Sequence, residues 1–300
     1  MANSTIIYAA TDSGLAIFNK PGTLPEWLPP RPALQGEVVY AAWGEPGPPI
    51  RVVAAVERGL LLSENGGRTW ESVGSDADDG QMSLLYHDEA EGVLYAARAD
   101  GALFESGDGG TTWDEAGAVP ASGAVLALAR ADLPGEFFVL VEGSGLYVGN
   151  PRHGSWQGIT GGDVHAVASL SGGSWLFVCT SAGVAASEAR GTPWTLLQGS
   201  PRGGRAIVAI PGSDPSRTAL VVGTQDGLWV SPDSGATWQR PEMPGNGGIT
   251  AIARDPERRD RLYAATDTGL LFESGNRGGE WSAVNAAPVA PVRSLYVVRI

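Results

Sequence analysis

One cysteine, Cys179, and three scattered histidines, His87, His153 and His165, are all that this 300-residue chain holds of the usual sulfur and nitrogen metal ligands. With no HExxH and no CxxC spacing, neither a metal nor another cofactor is expected. A lone cysteine cannot close an internal disulfide, and Cys179, inside the apolar run WLFVCTS, reads as a core residue rather than a nucleophile. None of the glycine-rich loops continues into GK[ST], which excludes a phosphate loop. No GxSxG elbow accompanies Asp163 and His165. Basic residues are also scarce: 20 Lys and Arg against 33 Asp and Glu leave a net charge of −13, the wrong sign for a nucleic-acid partner. No uncharged apolar stretch reaches the roughly 18 residues of a membrane span. The opening MANSTIIYAATDSG lacks the basic start and apolar run of a signal peptide. The expectation is therefore a soluble, cytoplasmic protein.

What is abundant is glycine (43), proline (21) and tryptophan (10). There is no Gly-X-Y period, so the glycine signals turns rather than a collagen helix. The 43% of apolar residues suffices for a real core. The length allows one large domain or two ordinary ones.

A repeat decides between these. Seven segments share an apolar run, a short loop ending in Gly, a second apolar run, a turn and a Trp. The tryptophans are Trp27, Trp70, Trp113, Trp156, Trp194, Trp238 and Trp281, spaced by 43, 43, 43, 38, 44 and 43 residues. Gly14, Gly59, Gly101, Gly145, Gly183, Gly227 and Gly269 keep the same beat. The runs are short and bounded by Gly, Asp and Pro, and none shows a 3.6-residue period, so they read as strands. A further apolar run lies between each Trp and the next unit (EVVYAAW, MSLLYH, AVLALAR, VHAVASL, AIVAIP, ITAIAR), and a weaker fourth strand begins around the Trp. Four antiparallel strands repeated every 40-odd residues predict an all-β, seven-bladed β-propeller spanning residues 1–300 as a single domain. The chain begins in a second strand, IIYAAT, and ends in a first strand, SLYVVRI. The C-terminal strand is thus expected to complete the N-terminal blade and close the ring, removing exposed edges.

The turn before the Trp has its own motif: SENGGRTW at Ser63–Trp70, SGDGGTTW at Ser106–Trp113, SPDSGATW at Ser231–Trp238 and SGNRGGEW at Ser274–Trp281. Asn65, Asp108, Asp233 and Asn276 can accept hydrogen bonds from nearby backbone N–H groups, and the ring then packs between strands. The pattern resembles the Asp-box, or BNR, repeat. Ser187–Trp194 keeps Ser, Gly and Trp but has Ala189 at the acid position, and the segments ending at Trp156 and Trp27 keep little beyond the Trp. The resemblance implies a fold shared by sialidases, xyloglucan-degrading glycoside hydrolases, sorting receptors and photosystem II assembly factors. It also implies a structural role for the box, away from the ligand.

Chain direction separates two faces. The box turns share face two with the first-to-second loops. The second-to-third loops and the links between blades share face one, the functional candidate by resemblance. Face one then carries Asp12, Glu57, Arg58, Arg98, Asp100, Glu142, Asp226 and Asp267 in its loops. Asp76, Asp78, Asp79, Asp163, Arg31, Arg202 and Arg205 lie in its links, and Arg293 at the start of the last strand. The ligand or partner face drawn from these is Asp12, Glu57, Arg58, Asp100, Asp226, Asp267, Arg205 and Arg293, an acidic mouth with a few arginines.

A sialidase needs three arginines, a Tyr nucleophile with its Glu partner and an Asp acid/base. Arg58, Arg202, Arg205 and Arg293, with Tyr40, Tyr86 and Tyr296 in first strands, offer the residue types without a diagnostic spacing, and no Arg-Ile-Pro start precedes the first box. The xyloglucan-degrading relatives place their cleft between two propellers, and this length holds one. The reading favoured by the sequence is a non-catalytic scaffold that binds a protein partner or a glycan-like ligand. The alternative is a sialidase-like glycoside hydrolase with a degenerate motif.

Overall fold

The computed structural model describes residues 4–300 apart from 25, 46, 48, 49, 74–79, 120, 132, 171–173, 189, 190, 213, 215 and 216. Asp76, Asp78, Asp79 and Ala189 therefore lie outside the described residues.

Seven antiparallel sheets form the blades. Their inner strands are Val292–Arg299 in blade 1, then Val39–Gly44, Met82–Asp88, Val125–Arg130, Ala166–Leu170, Ala206–Ile210 and Ile249–Arg254 in blades 2 to 7. Each inner strand packs beside the next, and that of blade 7 packs beside that of blade 1, so the ring is closed. The second strands read as unbroken apolar runs, such as VVAAV in Val52–Val56 and FFVLV in Phe137–Val141, and every residue of both is buried. They do not alternate because each blade is covered on both faces. In Thr5–Thr11 of blade 1, Tyr8 packs with Val52 of blade 2, whereas its neighbour Ile7 packs with Tyr263 of blade 7. Each such side chain, fully buried, contributes about 1.5–3 kcal/mol.

Blade 1 is composite, as the sequence implies. Val292–Arg299 pairs with Thr5–Thr11 from Thr5↔Arg299 to Thr11↔Val292, joining the two ends of the chain. Arg299 locks the seam. Its Nη1 lies 3.1 Å from Asp255 Oδ2 in blade 7 and 3.3 Å from Thr5 Oγ1, and its Nε lies 3.0 Å from Glu257 Oε2. The outer strands are the weakest elements. Six blades have a fourth strand, but in blade 6 it is reduced to the single bridge Val230↔Gln239.

The two ends of the blades separate as chain direction predicts. On face two, Arg51 Nη1 donates to Asp108 O (3.0 Å), Ser234 N to Thr218 O (2.8 Å) and Arg277 N to Asp260 O (2.8 Å), linking first-to-second loops with box turns. On face one, Gly203 N donates to Thr180 O (3.1 Å) and Asp267 N to Gly248 O (2.9 Å). The seven rhythmic glycines all sit in second-to-third hairpins with φ between 82° and 143°. At Gly269 a Cβ would lie 1.9 Å from Val289 O, so the beat in the sequence marks a backbone that other residues cannot follow.

The box turns of blades 3, 6 and 7 are hydrogen-bonded alike. In Ser106–Trp113, Asp108 Oδ1 accepts from Thr111 N (3.0 Å), Thr112 N (2.9 Å) and Ser106 Oγ (2.9 Å), while Ser106 Oγ accepts from Gly110 N (2.9 Å). Trp113 Nε1 closes the turn on Gly110 O at 3.0 Å. Ser231, Asp233 and Trp238 repeat this arrangement, as do Ser274, Asn276 and Trp281. Burial pushes the Asp108 carboxyl upward, but the bonds from Thr112, Ser106 and Thr111 outweigh it and hold the group below the usual carboxylate range. In blade 5 the Ser187 hydroxyl turns to Glu188 O instead, and the Trp194 indole N–H is buried without a partner among the described residues.

Candidate functional site

The face-one mouth is built by one recurring irregularity of the inner strands. In blade 1, Val292 pairs with Thr11 and Ser294 with Ala10, so Arg293 is an extra residue, a β-bulge. The register shifts at the same place in blade 2 (Tyr40), blade 3 (Ser83), blade 4 (Leu126) and blade 7 (Thr250). In blades 5 and 6 the amides of His165 and Arg205 both reach a carbonyl whose residue already pairs with the next one along. His165 N donates to Cys179 O and Arg205 N to Gly223 O, opposite Ala166 and Ala206. A bulge re-aims a side chain and interrupts pairing. Seven bulges at one height set Arg293, Tyr40, Ser83, Leu126, His165, Arg205 and Thr250 around the mouth.

Two of the seven are folded back. Ser83 Oγ and Thr250 Oγ1 each contact a second-strand carbonyl, Ala97 O and Ala265 O, at 3.3 Å. Leu126, His165, Arg205 and Arg293 are exposed, and Tyr40 is half-buried. Leu126 is 43% exposed, an unusual position for a large apolar residue, and His165 and Arg293 are 46% and 44% exposed. Arg293 stacks over Tyr40 with 5.1 Å from guanidinium carbon to ring centroid, and its Nε donates to Asp12 Oδ1. The exposed Arg205 guanidinium has no hydrogen-bond or ion-pair partner among the described residues.

The acids predicted for this face form an outer rim rather than a convergent cluster. Asp12 meets Arg293, and Asp100 meets Arg98 at 2.9 Å, which lowers the Asp100 carboxyl. Arg58 meets Glu37 at 3.3 Å. Asp267 Oδ1 accepts from Gly248 N at 3.0 Å and so supports its own loop. Glu57 and Asp226 are exposed in their hairpins, and Asp226 O accepts from Arg240 Nη2. Of the predicted face, the inner-strand bulges thus place only Arg205 and Arg293 in the ring. Arg31 is a correction: it begins the fourth strand of blade 1 and donates to Gly66 O and Gly67 O, at the box turn of blade 2 on face two. The link that holds it runs from a face-two loop, so its first residue is still at that end.

Three constellations bear on catalysis. Asp163 accepts from Ser181 Oγ (2.7 Å) and lies 3.3 Å from His165 Nε2. The order is Ser–Asp–His, so the hydroxyl proton points at a carboxylate and no imidazole is placed to remove it. The bonds from Ser181 lower the Asp163 carboxyl. Burial pushes the Tyr86 phenol to about 12 and raises Tyr296 further, Glu89 adding to both, which is opposite to the activation a Tyr nucleophile needs. Among the described residues, Asp100, Asp108, Asp163 and Asp233 carry carboxyls that are shifted down, the opposite of the shift a glycosidase acid needs.

No family model matches the chain. One curated protein, the vacuolar protein sorting/targeting protein 10 of Zygosaccharomyces rouxii, is 31% identical over 83 residues, which are 28% of this chain and 5% of that protein. Among solved structures, an ancestral GH74 enzyme superposes with a TM-score of 0.64 at 16% identity, covering 91% of this chain and 42% of that one. A structure of YCF48 bound to D1 peptide superposes with a TM-score of 0.56 at 16% identity, covering 78% and 77%. At these identities the likeness is one of fold.

Proposed function

We propose that this propeller is a binding scaffold whose face-one mouth receives a protein partner. The observation that carries the reading is the ring of inner-strand bulges, which sets the exposed Arg205, Arg293, Leu126 and His165 and the half-buried Tyr40 together at the end of a closed ring of blades. Arg and Tyr dominate the energetics of protein interfaces because they combine apolar area with directed hydrogen bonds. A rigid rim presents them without an ordering cost. The structural neighbour holding the D1 peptide supports a peptide-like partner for a propeller of this shape. Arg205, without a partner among the described residues, and the stacked Arg293 favour an acidic segment in that partner, with the outer acidic rim repelling less suitable ones.

The test is retention of protein from the source cell's own extract on the immobilised full chain. Arg205→Glu combined with Leu126→Asp is compared with Arg259→Glu on face two. The expected result is one partner held at low salt, released at high salt, weakened about tenfold or more by the mouth variant and unaffected by Arg259→Glu. Loss with Arg259→Glu alone would place the surface on the other face and overturn the reading. Turnover of a fluorogenic glycoside, a sialoside included, that survives purification and disappears in Asp12→Asn or Asp226→Asn would replace it with a glycoside hydrolase.

A further inference from the structure

Closing the ring removes the inner edges of the sheets, but each blade still ends in an outer edge at the rim. An outer strand carries a row of unpaired N–H and C=O groups that can template pairing with another chain, and short strands, charges and prolines blunt it. Six blades show such blunting among the described residues. The outer strands of blades 2, 5 and 7 are two residues long: Glu71–Ser72, Thr195–Leu196 and Ser282–Ala283. Arg31–Ala33 of blade 1 holds Pro32 at its centre. Asp114–Ala118 of blade 3 is longer but begins with the exposed Asp114 and Glu115. Blade 6 has only the bridge at Gln239, two residues before Pro241, which has no N–H to give. Blade 4 differs. Its outer strand, Ser155–Thr160, runs for six residues, SWQGIT, with no charge and no proline.

The cause lies in the turn. Blade 4 has no box between its third and fourth strands. The chain turns within Pro151–Gly154, where Asn150 Oδ1 accepts from Arg152 N at 3.0 Å and Gly154 takes φ 60°. Pairing therefore starts at once, with Asn150↔Ser155, Gly149↔Trp156 and Val148↔Gln157. The strand is held on both faces. Trp156 Nε1 donates to Ala118 O of blade 3 at 2.8 Å, and Ile159 sits so close to Gly191 of blade 5 that a Cβ there would lie 2.4 Å from its Cγ2. Ser155, Gln157 and Gly158 remain exposed. Gly158 does not have a positive φ, so its backbone angle does not call for glycine. A glycine in such a strand leaves room for another backbone to come close.

We propose that Ser155–Thr160 pairs with the same strand of a second copy, antiparallel about a two-fold axis near Gln157 and Gly158, and joins two blades into one eight-stranded sheet. Self-pairing brings the middle residues against their own symmetry mates, so a charge there would face itself, and this strand has none. The charges at its hairpin, Arg152 and Glu105, already neutralise each other at 2.8 Å. An edge fixed by its neighbours pairs without an ordering cost. One unblunted edge per chain stops the assembly at two. About six backbone hydrogen bonds join the strands, an interface far smaller than that of a permanent dimer, so the association is reversible with a dissociation constant on the order of 100 µM. This surface lies on the rim and does not depend on the reading of the face-one mouth.

The experiment is sedimentation velocity of the full chain from about 1 to about 300 µM, a range that brackets such a constant. The expected result is a monomer–dimer equilibrium with no larger species. Each copy carries a net charge of −13, so the dimer should tighten as salt rises from about 0.1 M to about 0.5 M, opposite to the capture of an acidic partner at the mouth. Ser155→Lys combined with Gln157→Lys places like charges along the seam and should weaken the dimer about tenfold, with the melting temperature unchanged because both side chains are exposed. Gln239→Lys on the rim of blade 6 and Arg205→Glu at the mouth should leave it unchanged. A chain that stays monomeric at the highest concentration overturns the proposal, as do larger oligomers, or a dimer that survives the double lysine variant or is lost with Arg205→Glu. A monomer that instead retains another protein through Ser155–Thr160, released by the double lysine variant, would assign the edge to that protein's strand and overturn self-pairing.

Discussion

Ring closure rests on an ion pair with little access to water, which makes it a sharp test of the reasoning. The side chains of Arg299 and Asp255 are 4% and 0% exposed, at 3.1 Å. Asp255 also accepts from Glu257 N (3.0 Å) and Arg258 N (2.9 Å), so its carboxylate is fixed in place. Arg299→Met leaves this charge buried and unanswered, a change that costs about 3–5 kcal/mol. At roughly 2.1 cal/mol/K of unfolding entropy per residue, a chain of 300 residues unfolds with about 0.6 kcal/mol/K. The melting temperature of Arg299→Met should therefore fall by about 5–8 °C. Asp255→Asn keeps an oxygen for the two amides and removes the charge, so Arg299→Met with Asp255→Asn should recover more than half of the loss. Calorimetry of the four proteins of this cycle gives the coupling directly. Additive losses would refute the idea that the pair acts as one unit. A melting temperature unchanged in Arg299→Met would refute the lock itself.

Two further outcomes follow from the repeat. Gly269→Ala forces a positive φ on alanine and drives its Cβ toward Val289 O, so it should destabilise by about 1–3 kcal/mol, whereas Gly275→Ala, which meets nothing within 4 Å, should be near neutral in the same denaturant titration. Asp108→Ala should cost about 1 kcal/mol, comparable to losing a helix N-cap acceptor, because water reaches the freed amides of Thr111 and Thr112. The Asp108 carboxyl is depressed in the folded state, so its contribution is complete above the unfolded value of about 3.9 and is lost as pH falls through the lower folded value. The stability gap between parent and Asp108→Ala should thus be constant from pH 7 to about pH 5 and close in stronger acid; a gap that widens in acid would contradict the assignment.

The period of Trp and Gly carried the architecture because each repeat must place the same turn, the same ring and the same buried run to stack on its neighbours. The composite blade was legible for the same reason: the ends hold complementary fractions of one unit. The hydrogen bonds of Ser106, Asp108 and Trp113 were legible too, since all partners lie within eight residues. The mouth was only partly so. Arg205 stood out as a charge in a link and Arg293 as one at a strand start, but Tyr40 and His165 entered only as catalytic candidates, and Leu126 looked like an ordinary strand residue. The repeats share an apolar–variable–small triplet at these positions except in blade 6, where Gly204 stands first, and blade 3, where Leu84 stands third, yet only strand register shows that the variable residue is left unpaired. Arg31 was assigned to the wrong end because its link crosses from one face to the other. The groove that Arg31 lines on face two draws Ile6, Ile17 and Ile50 from two blades, apart in sequence. Local spacing determined the blades and their turns. Which side chains meet, and which remain unsatisfied, was decided by how one blade packs on the next.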